Sequence, residues 1–408
     1  MAFYQKLAVH TLYQVVARIA SSGASFLITI IIAHHFGVSA YGDYAKVTAF
    51  VTMFYLLADF GLNAMFLQKE TSSKHFHDLF YARIILSVLL IFVVNLIAFF
   101  LPYNTITGVG FSPFVRIAIA LFSITIFTES VLYSTFAVFQ KKYMYQRFMM
   151  ATIIGSIITI SLVGFFVLLG LSLFWIFIAF VIGALLEAVA SILFTEEKLF
   201  PMLVHVQFIK GLFYETLPVA LMLIFNLIYF RIDTILLSLF RPSTDVGIYD
   251  LSYRVFDFLI ALPLFLSNVL YPKLIADEKN NRNIKAKVLL YVLGFFTAGI
   301  VVVLPFWFLS PFIFTTIKPQ LLPATVPFRL LLLSLPVFFA TNILQWMLLS
   351  KKKQRYLSLV YFLLTIANII FNILFIPLFG YVASAIITGI GETIVLLLFS
   401  WKVFKESI

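Results

Sequence analysis

The 408-residue sequence has no cysteine and few charged residues. Without cysteine, disulfide bonds and thiolate metal sites are excluded. Charged residues make up 11% of the chain and hydrophobic residues 63%, whereas soluble domains have about 25% charged residues. This composition excludes a soluble enzyme of several domains, because the chain lacks the polar surface it would need, and it also excludes intrinsic disorder.

Acidic residues are scarcer than basic ones: 17 Asp and Glu stand against 28 Lys and Arg, and the formal net charge is +11. In a soluble protein such an excess suggests binding to nucleic acid. In an apolar chain it is typical of the basic loops on the cytoplasmic side of membrane proteins. We therefore expect the lipid bilayer, and not nucleic acid, as a partner. The six histidines show no metal-ligand spacing, so neither a metal nor a cofactor is expected.

Long apolar runs make up most of the sequence and predict an all-α polytopic membrane protein, since about 20 apolar residues cross a bilayer as a helix. The first run exceeds the core of a signal peptide, so we expect it to remain as a membrane helix. About twelve transmembrane helices are predicted, at residues 11–33, 45–67, 79–101, 114–139, 148–169, 173–195, 212–240, 248–271, 287–309, 326–350, 356–378 and 381–401.

The distribution of basic residues supports this count. With the N-terminus inside, 20 of the 28 Lys and Arg are assigned to the inner loops and tails, including Arg83 near the inner end of the span at 79–101, and five, among them Lys46, are assigned to the outer side. The inner loops of membrane proteins are rich in Lys and Arg, so both termini are expected in the cytoplasm. The other three arginines, Arg18, Arg231 and Arg254, lie inside predicted spans.

Several landmarks recur half a chain apart. Gly42-Asp43-Tyr44 and Gly247-Ile248-Tyr249 are separated by 205 residues, and Lys141-Lys142 precedes Lys351-Lys352 by 210. Glu187 and Glu392 are also 205 residues apart, each inside the last span of its half.

This recurrence predicts two pseudo-symmetric six-helix bundles around a central cavity. The N-terminal lobe would comprise residues 1–203 and the C-terminal lobe residues 204–408. Six helices per half give both halves the same orientation, which is the parallel-repeat plan of several transporters with alternating access. The alternative is a pair of bundles that associate without transporting anything.

Charges inside the predicted spans form the candidate site. A charge at the bilayer centre costs about 2.5–3.5 kcal/mol, so such residues face a partner or a water-filled cavity. Arginine binds phosphate through a planar fork that keeps its proton, which makes Arg18, Arg231 and Arg254 candidate ligands of an anionic cargo. The candidate coupling or charge-neutralising residues are Asp59, Glu187, Asp257 and Glu392. Alternatively, these charges are structural ion pairs, and Arg18 has the depth to pair with the N-terminal carboxylates.

No enzymatic motif is present. The sequence lacks a Gly-rich phosphate loop followed by Lys-Ser/Thr and a long extramembrane segment that could hold an acceptor. We therefore expect a transporter, without catalytic residues.

Short motifs in a fixed order resemble those of the Wzx-type polysaccharide flippases of bacteria, over nearly the whole chain. The motifs are Phe36-Gly37-Val38-Ser39-Ala40-Tyr41-Gly42-Asp43-Tyr44, Asp59-Phe60-Gly61-Leu62, Arg231-Ile232-Asp233-Thr234, Val246-Gly247-Ile248-Tyr249, Tyr271-Pro272-Lys273-Leu274 and Gly380-Tyr381-Val382-Ala383-Ser384-Ala385.

The resemblance implies membership of the multidrug/oligosaccharidyl-lipid/polysaccharide exporter superfamily, with two six-helix lobes forming a V-shaped cavity. It implies a cargo of undecaprenyl-diphosphate-linked oligosaccharide, flipped across the bacterial inner membrane for O-antigen (lipopolysaccharide) or capsule synthesis. Polysaccharide polymerase and chain-length machinery are then candidate partners. Two alternatives stay open: a multidrug or cation antiporter of the same fold, and a membrane-bound polysaccharide polymerase or ligase.

Overall fold

The computed structural model describes residues 2–63, 66, 73–197, 206–279 and 284–406, and these are almost entirely helical. The chain divides into two compact units, residues 1–220 and 221–408. The predicted lobe boundary between residues 203 and 204 lies outside the described residues and stays a prediction. The side chains of the motif Tyr271–Leu274 also lie outside the described part of the chain.

Among the described residues, the first unit contains seven helices, a small hairpin and the start of an eighth helix. The hairpin strands β1 (Tyr103–Asn104) and β2 (Val109–Gly110) are antiparallel. The helices are α1 (Ala2–Phe36), α2 (Val38–Asp59), α3 (Ser73–Phe100), α4 (Pro113–Phe122), α5 (Ile124–Lys141), α6 (Tyr145–Leu168), α7 (Leu173–Thr195) and the first part of α8 (Val206–Phe240).

The second unit contains the rest of α8 and five further helices. They are α9 (Ser243–Lys279), α10 (Ile284–Ile317), α11 (Thr325–Ser350), α12 (Gln354–Phe379) and α13 (Tyr381–Glu406), with a 3₁₀ turn at Pro319–Ala324 before α11.

Each predicted span overlaps a helix, and the all-α polytopic fold class is confirmed. Among the described residues, ten helical segments are long and apolar enough to cross a membrane. The two helices that do not reach this hydropathy, α2 and α9, correspond to predicted spans with charged side chains, such as Lys46 in α2 and Asp250 in α9.

The same pattern of helix contacts occurs within each unit. In the first, α3 packs on α5 and α5 on α7; in the second, α10 packs on α11 and α11 on α13. Short glycine turns join the last two helices of each unit, with Gly170 at φ 67° and Gly380 at φ 60°. Glycine is favoured at both positions, because only glycine adopts positive φ without steric cost.

Two predicted spans differ from the structure. The span at 114–139 is two helices, because Ser123 Oγ donates to the Ala120 carbonyl at 2.8 Å and Thr125 Oγ1 to the Phe122 carbonyl at 2.5 Å, and such back-bonding bends helices. The span at 45–67 ends early: α2 stops at Asp59, and Phe60 and Gly61 have φ of 49° and 67°.

Lys46, which the sequence placed on the outer side, is buried in the first unit. Only 1% of it is exposed, and its Nζ donates to the Gly110 carbonyl at 2.7 Å. Arg116 holds the same loop by donating to the Leu101 carbonyl at 2.5 Å. The two cations therefore fix the hairpin between α3 and α4.

Small residues allow α6 and α7 to approach closely, as is common in membrane helix pairs. A Cβ at Gly183 would collide with Thr159 Oγ1, and a Cβ at Gly155 would come 2.5 Å from Glu187 Oε2. No side chain larger than hydrogen fits at either position without a shift of its neighbour.

We predict that Gly183→Ala destabilises the protein by about 1–3 kcal/mol, the usual cost of overpacking. Thr159→Ala should recover part of that loss in the double variant. Unfolding in detergent, followed by circular dichroism, measures both. Gly164→Ala in α6 is the matched control, since open space surrounds Gly164; an equal loss in the control would contradict the close approach of α6 and α7.

Candidate functional site

Arg18 lies nine residues into the candidate span Val9–Phe36 and is exposed. Gln14, Ser22 and Ser25 lie on the same face of α1, at spacings of three and four residues. Arg18 forms no ion pair with any described residue, so the structure does not pair it with the N-terminal carboxylates.

The buried arginine of the first unit is Arg83, which the sequence wrongly assigned to an inner loop. It lies in α3, is fully buried, and donates from Nη2 to Asp59 Oδ1 at 2.7 Å and from Nη1 to Asn63 Oδ1 at 2.9 Å. Its helix begins at Ser73, before the apolar run at 79. Because Arg83 is only four residues from the predicted start of the span, the charge count assigns it to the inner loop, although the helix begins earlier and buries it.

Arg231 and Asp257 form an ion pair between α8 and α9 of the second unit. Arg231 Nη2 donates to Asp257 Oδ2 at 2.7 Å, and both side chains are about one-third exposed, at 34% and 35%. The guanidinium also lies 5.5 Å from the centre of the Tyr253 ring. This part of the predicted site is therefore paired and still accessible.

Arg254 pairs within its own helix. Its Nε donates to Asp250 Oδ2 at 2.7 Å, and the side chains are 20% and 4% exposed. Arg254 and Asp257 are three residues apart and share a helix face. The carboxylate that Arg254 binds in α9 is nevertheless Asp250, one turn before it.

Glu187 and Glu392 form no ion pair with any described residue. Glu187 of α7 rests on Gly155 of α6 and is close enough to Glu129 of α5 for a coulombic interaction. Glu392 of α13 is 3% exposed, and its Oε2 accepts no hydrogen bond from the described residues. The two carboxylates of the repeat are thus both without a cation in the described part of the chain.

The hydroxyl of Tyr229 lies against Gly391, the residue before Glu392. A Cβ at Gly391 would come 2.6 Å from it, and it makes no hydrogen bond among the described residues. Buried polar groups in native proteins nearly always have partners, and an exception calls for a water, an ion or a functional role. Tyr229 in α8 and Glu392 in α13 each have one such oxygen atom.

A hydrogen-bonded polar network also runs through the second unit, and sequence reasoning found only parts of it. Asp233 accepts hydrogen bonds from Tyr249 Oη and from the Thr234 amide. Asn372 donates to Asn368 Oδ1 at 2.7 Å and accepts from Ser384 at 3.0 Å. Asn368 and Asn372 are four residues apart, a spacing that places them on one helix face, but no spacing signal connects Tyr249 to Asp233.

The second unit has a cavity of about 410 Å³ between α12 and α13. Phe371, Phe375 and Ile386 are among its lining residues, with Tyr229 from α8. The lining is apolar and contains none of the predicted site residues, so this is not the predicted cargo site.

Comparisons with known proteins concern both sequence and fold. The profile of a family described as polysaccharide biosynthesis protein matches residues 7–276. No curated protein sequence matches the chain.

Three solved structures of similar fold are a lipid II flippase, MurJ, in an inward closed conformation, an inward-facing multidrug resistance MATE family transporter of the MOP superfamily, and the eukaryotic MATE transporter AtDTX14. MurJ is 16% identical with a TM-score of 0.76, covering 97% of this chain and 87% of its own. The MATE family transporter is 13% identical with a TM-score of 0.70, and the match covers 97% of this chain and 94% of the transporter. AtDTX14 is 15% identical with a TM-score of 0.64, and the match covers 99% of this chain and 96% of AtDTX14. At these identities the likeness shows the fold alone.

We predict that Asp59→Ala destabilises the protein by about 3–5 kcal/mol, because it leaves the fully buried Arg83 unpaired. The double variant Asp59→Ala/Arg83→Met should be more stable than Asp59→Ala alone. Thermal unfolding of the purified variants in detergent measures the difference. Arg18→Gln, at an exposed arginine, is the control and should unfold at the same temperature as the parent protein. A loss of stability in Asp59→Ala no larger than in this control would contradict the buried pair.

Proposed function

The chain belongs to the polysaccharide biosynthesis protein family, and from that premise we propose that it is a lipid-linked oligosaccharide flippase. Its cargo is an undecaprenyl-diphosphate-linked repeat unit of O-antigen or capsule. It acts by alternating access in the bacterial cytoplasmic membrane, with both termini in the cytoplasm. Family membership and a fold shared with a lipid II flippase support the class of function.

The exposure of Arg18 within a candidate span is the observation that carries this proposal. An arginine inside a membrane helix is costly unless it meets water or a partner, and Arg18 has no ion pair among the described residues. The polar face around it suits an aqueous path. Because guanidinium donates in a bidentate manner to phosphate, Arg18 is proposed as a ligand of the diphosphate.

Arg231 and Arg254 of the second unit are proposed as further ligands of the anionic cargo. The ion pair with Asp257 uses Nη2 of Arg231, and a guanidinium has five N–H donors, so Arg231 can hold a phosphate and Asp257 together. Arg254 is more buried and bound to Asp250. The main proposed contribution of Arg254 is therefore positive charge near Arg231, and not hydrogen-bond donors for the cargo.

Glu187 and Glu392 are proposed as coupling residues, and Asp59 and Asp257 as charge-neutralising ones. Asp59 and Asp257 already bind arginines. The other two are buried or half-buried without a cation, so each can take up a proton or a monovalent cation without breaking an ion pair. Their equivalent places in the repeat give each unit one such group.

A drug or cation antiporter is the second candidate, favoured by the MATE-like fold and by the carboxylates that lack cations. It predicts normal surface glycans and increased drug susceptibility after deletion of the gene. The polymerase or ligase alternative has no support from the solved structures compared, which are a flippase and transporters.

We predict that Arg18→Ala lowers flipping by about tenfold or more, because a hydrogen bond to a charged group is worth about 1.5–3 kcal/mol. Arg18→Lys should retain part of the rate by keeping the charge. The measurement is translocation of fluorescent undecaprenyl-diphosphate oligosaccharide in proteoliposomes. Ile19→Ala, at the exposed neighbour of Arg18, is the control; unchanged flipping by Arg18→Ala would exclude Arg18 from the site.

We predict that Glu392→Gln abolishes the stimulation of flipping by an imposed proton or sodium gradient. The neutral amide of glutamine has no negative charge that a proton or a sodium ion could neutralise. The same proteoliposomes measure this, with the gradient on and off. Thr393→Val, at the adjacent exposed position, should keep the stimulation. Equal stimulation in Glu392→Gln and the parent protein would remove Glu392 from coupling.

A further inference from the structure

The turns between α5 and α6 and between α11 and α12 have the same backbone. Tyr143 and Lys352 both have φ 57°. The Met144 amide donates to the Phe139 carbonyl at 2.7 Å, and the Lys353 amide to the Leu348 carbonyl at 2.9 Å. The two turns are therefore equivalent parts of the repeat, and their side chains can be compared directly.

In the first unit, acidic residues neutralise this end. Lys142 Nζ lies 2.6 Å from Glu197 Oε1, and Arg147 Nη2 lies 2.7 Å from Glu196 Oε1. The hydrogen bond from Arg147 lowers the pKa of Glu196, which keeps the carboxylate charged. Both acids directly follow α7.

The second unit lacks acids in the corresponding places. The offset of 205 residues that relates Glu187 to Glu392 places Trp401 and Lys402 where the first unit has Glu196 and Glu197. Six basic residues and one acid, Glu406, belong to this end. We call it the basic end, and its basic residues are Lys351, Lys352, Lys353, Arg355, Lys402 and Lys405.

Contacts bring the two parts of the basic end together. Tyr356 Oη donates to the Leu398 carbonyl at 2.9 Å, and Lys402 Nζ lies 5.2 Å from the centre of the Tyr356 ring. Lys405 Nζ lies 4.7 Å from the centre of the Trp401 ring. The start of α12 and the end of α13 therefore form one surface.

The basic end has the features of a lipid headgroup site. It lies at the ends of three candidate spans, those of α11, α12 and α13, where headgroups meet a membrane protein. Trp401 is 55% exposed, and tryptophan and tyrosine are enriched at that level. Lys352, Arg355 and Lys405 are exposed. Clusters of four to eight basic residues beside membrane helices attract anionic lipids.

We infer that the basic end of the second unit binds the phosphodiester headgroup of an anionic phospholipid, and that the equivalent end of the first unit does not. The turns at the two ends share a backbone, but Glu196 and Glu197 pair with cations in the first unit, whereas six basic residues and Glu406 give the second a larger positive charge. The inference is independent of the cargo and of the coupling residues.

The test is native mass spectrometry of the full chain in mixed micelles with dioleoyl-phosphatidylglycerol or dioleoyl-phosphatidylcholine. The parent protein should retain phosphatidylglycerol preferentially. Each basic residue near an anionic surface contributes about a fivefold factor in affinity, so Lys352→Gln/Arg355→Gln/Lys405→Gln should weaken phosphatidylglycerol binding at least tenfold.

The matched control removes the same charge from the first unit: Lys141→Gln/Lys142→Gln/Arg147→Gln, with an expected change below twofold. If the second-unit triple variant does not fold, Lys352→Gln and Arg355→Gln singly should each weaken binding about threefold to fivefold. Equal weakening in both triple variants would show that binding follows total charge, and unchanged binding in the second-unit variants would also overturn the inference.

Discussion

The cost of placing a charge inside an apolar helix bundle governs the rest of this structure. A buried cation needs an acceptor: Arg83 binds Asp59 at 2.7 Å, and Lys46 binds the Gly110 carbonyl at 2.7 Å. Arg254 follows the same rule with Asp250. Arg231 follows it with Asp257, and about one third of each of these two side chains is exposed. Arg18 is the exception, because it is exposed and has no ion pair among the described residues. A charge that is kept where it is costly indicates a function, which is why the proposed cargo site centres on it.

The repeat adds a second constraint, because one backbone plan carries two sets of side chains. The last helices of both units bear a glutamate at the same place, Glu187 and Glu392, and neither pairs with a described cation. Yet the ends of these helices differ: glutamates in ion pairs follow α7, whereas Lys402 and Lys405 lie at the end of α13. Both units thus contain the buried group proposed for coupling, while the charge at the ends of the helices that bear it differs.

Much of the fold could be predicted from the sequence, because apolar runs of 20 or more residues have few alternatives to membrane helices. The break at Ser123 could not, since it depends on a hydrogen bond from Asn95 at 3.1 Å as well as on local back-bonding. For the site, hydropathy identified Arg231 and Asp257 as charges within spans but not that they bind each other. Arg83 is assigned to an inner loop by the charge count, because the predicted span begins only four residues before it. The partners of charges depend on helix rotation and packing, which a single sequence does not encode locally.

The central claim is that the protein flips lipid-linked saccharide, and a clean deletion strain tests it most directly. Surface polysaccharide would be assayed together with the lipid-linked oligosaccharides on the cytoplasmic face, identified by mass spectrometry. The account predicts loss of the surface glycan and accumulation of single undecaprenyl-diphosphate-linked repeat units inside, both reversed by the parent gene. Intact surface glycan with no trapped intermediate, in a strain that carries no second gene of this family, would contradict it.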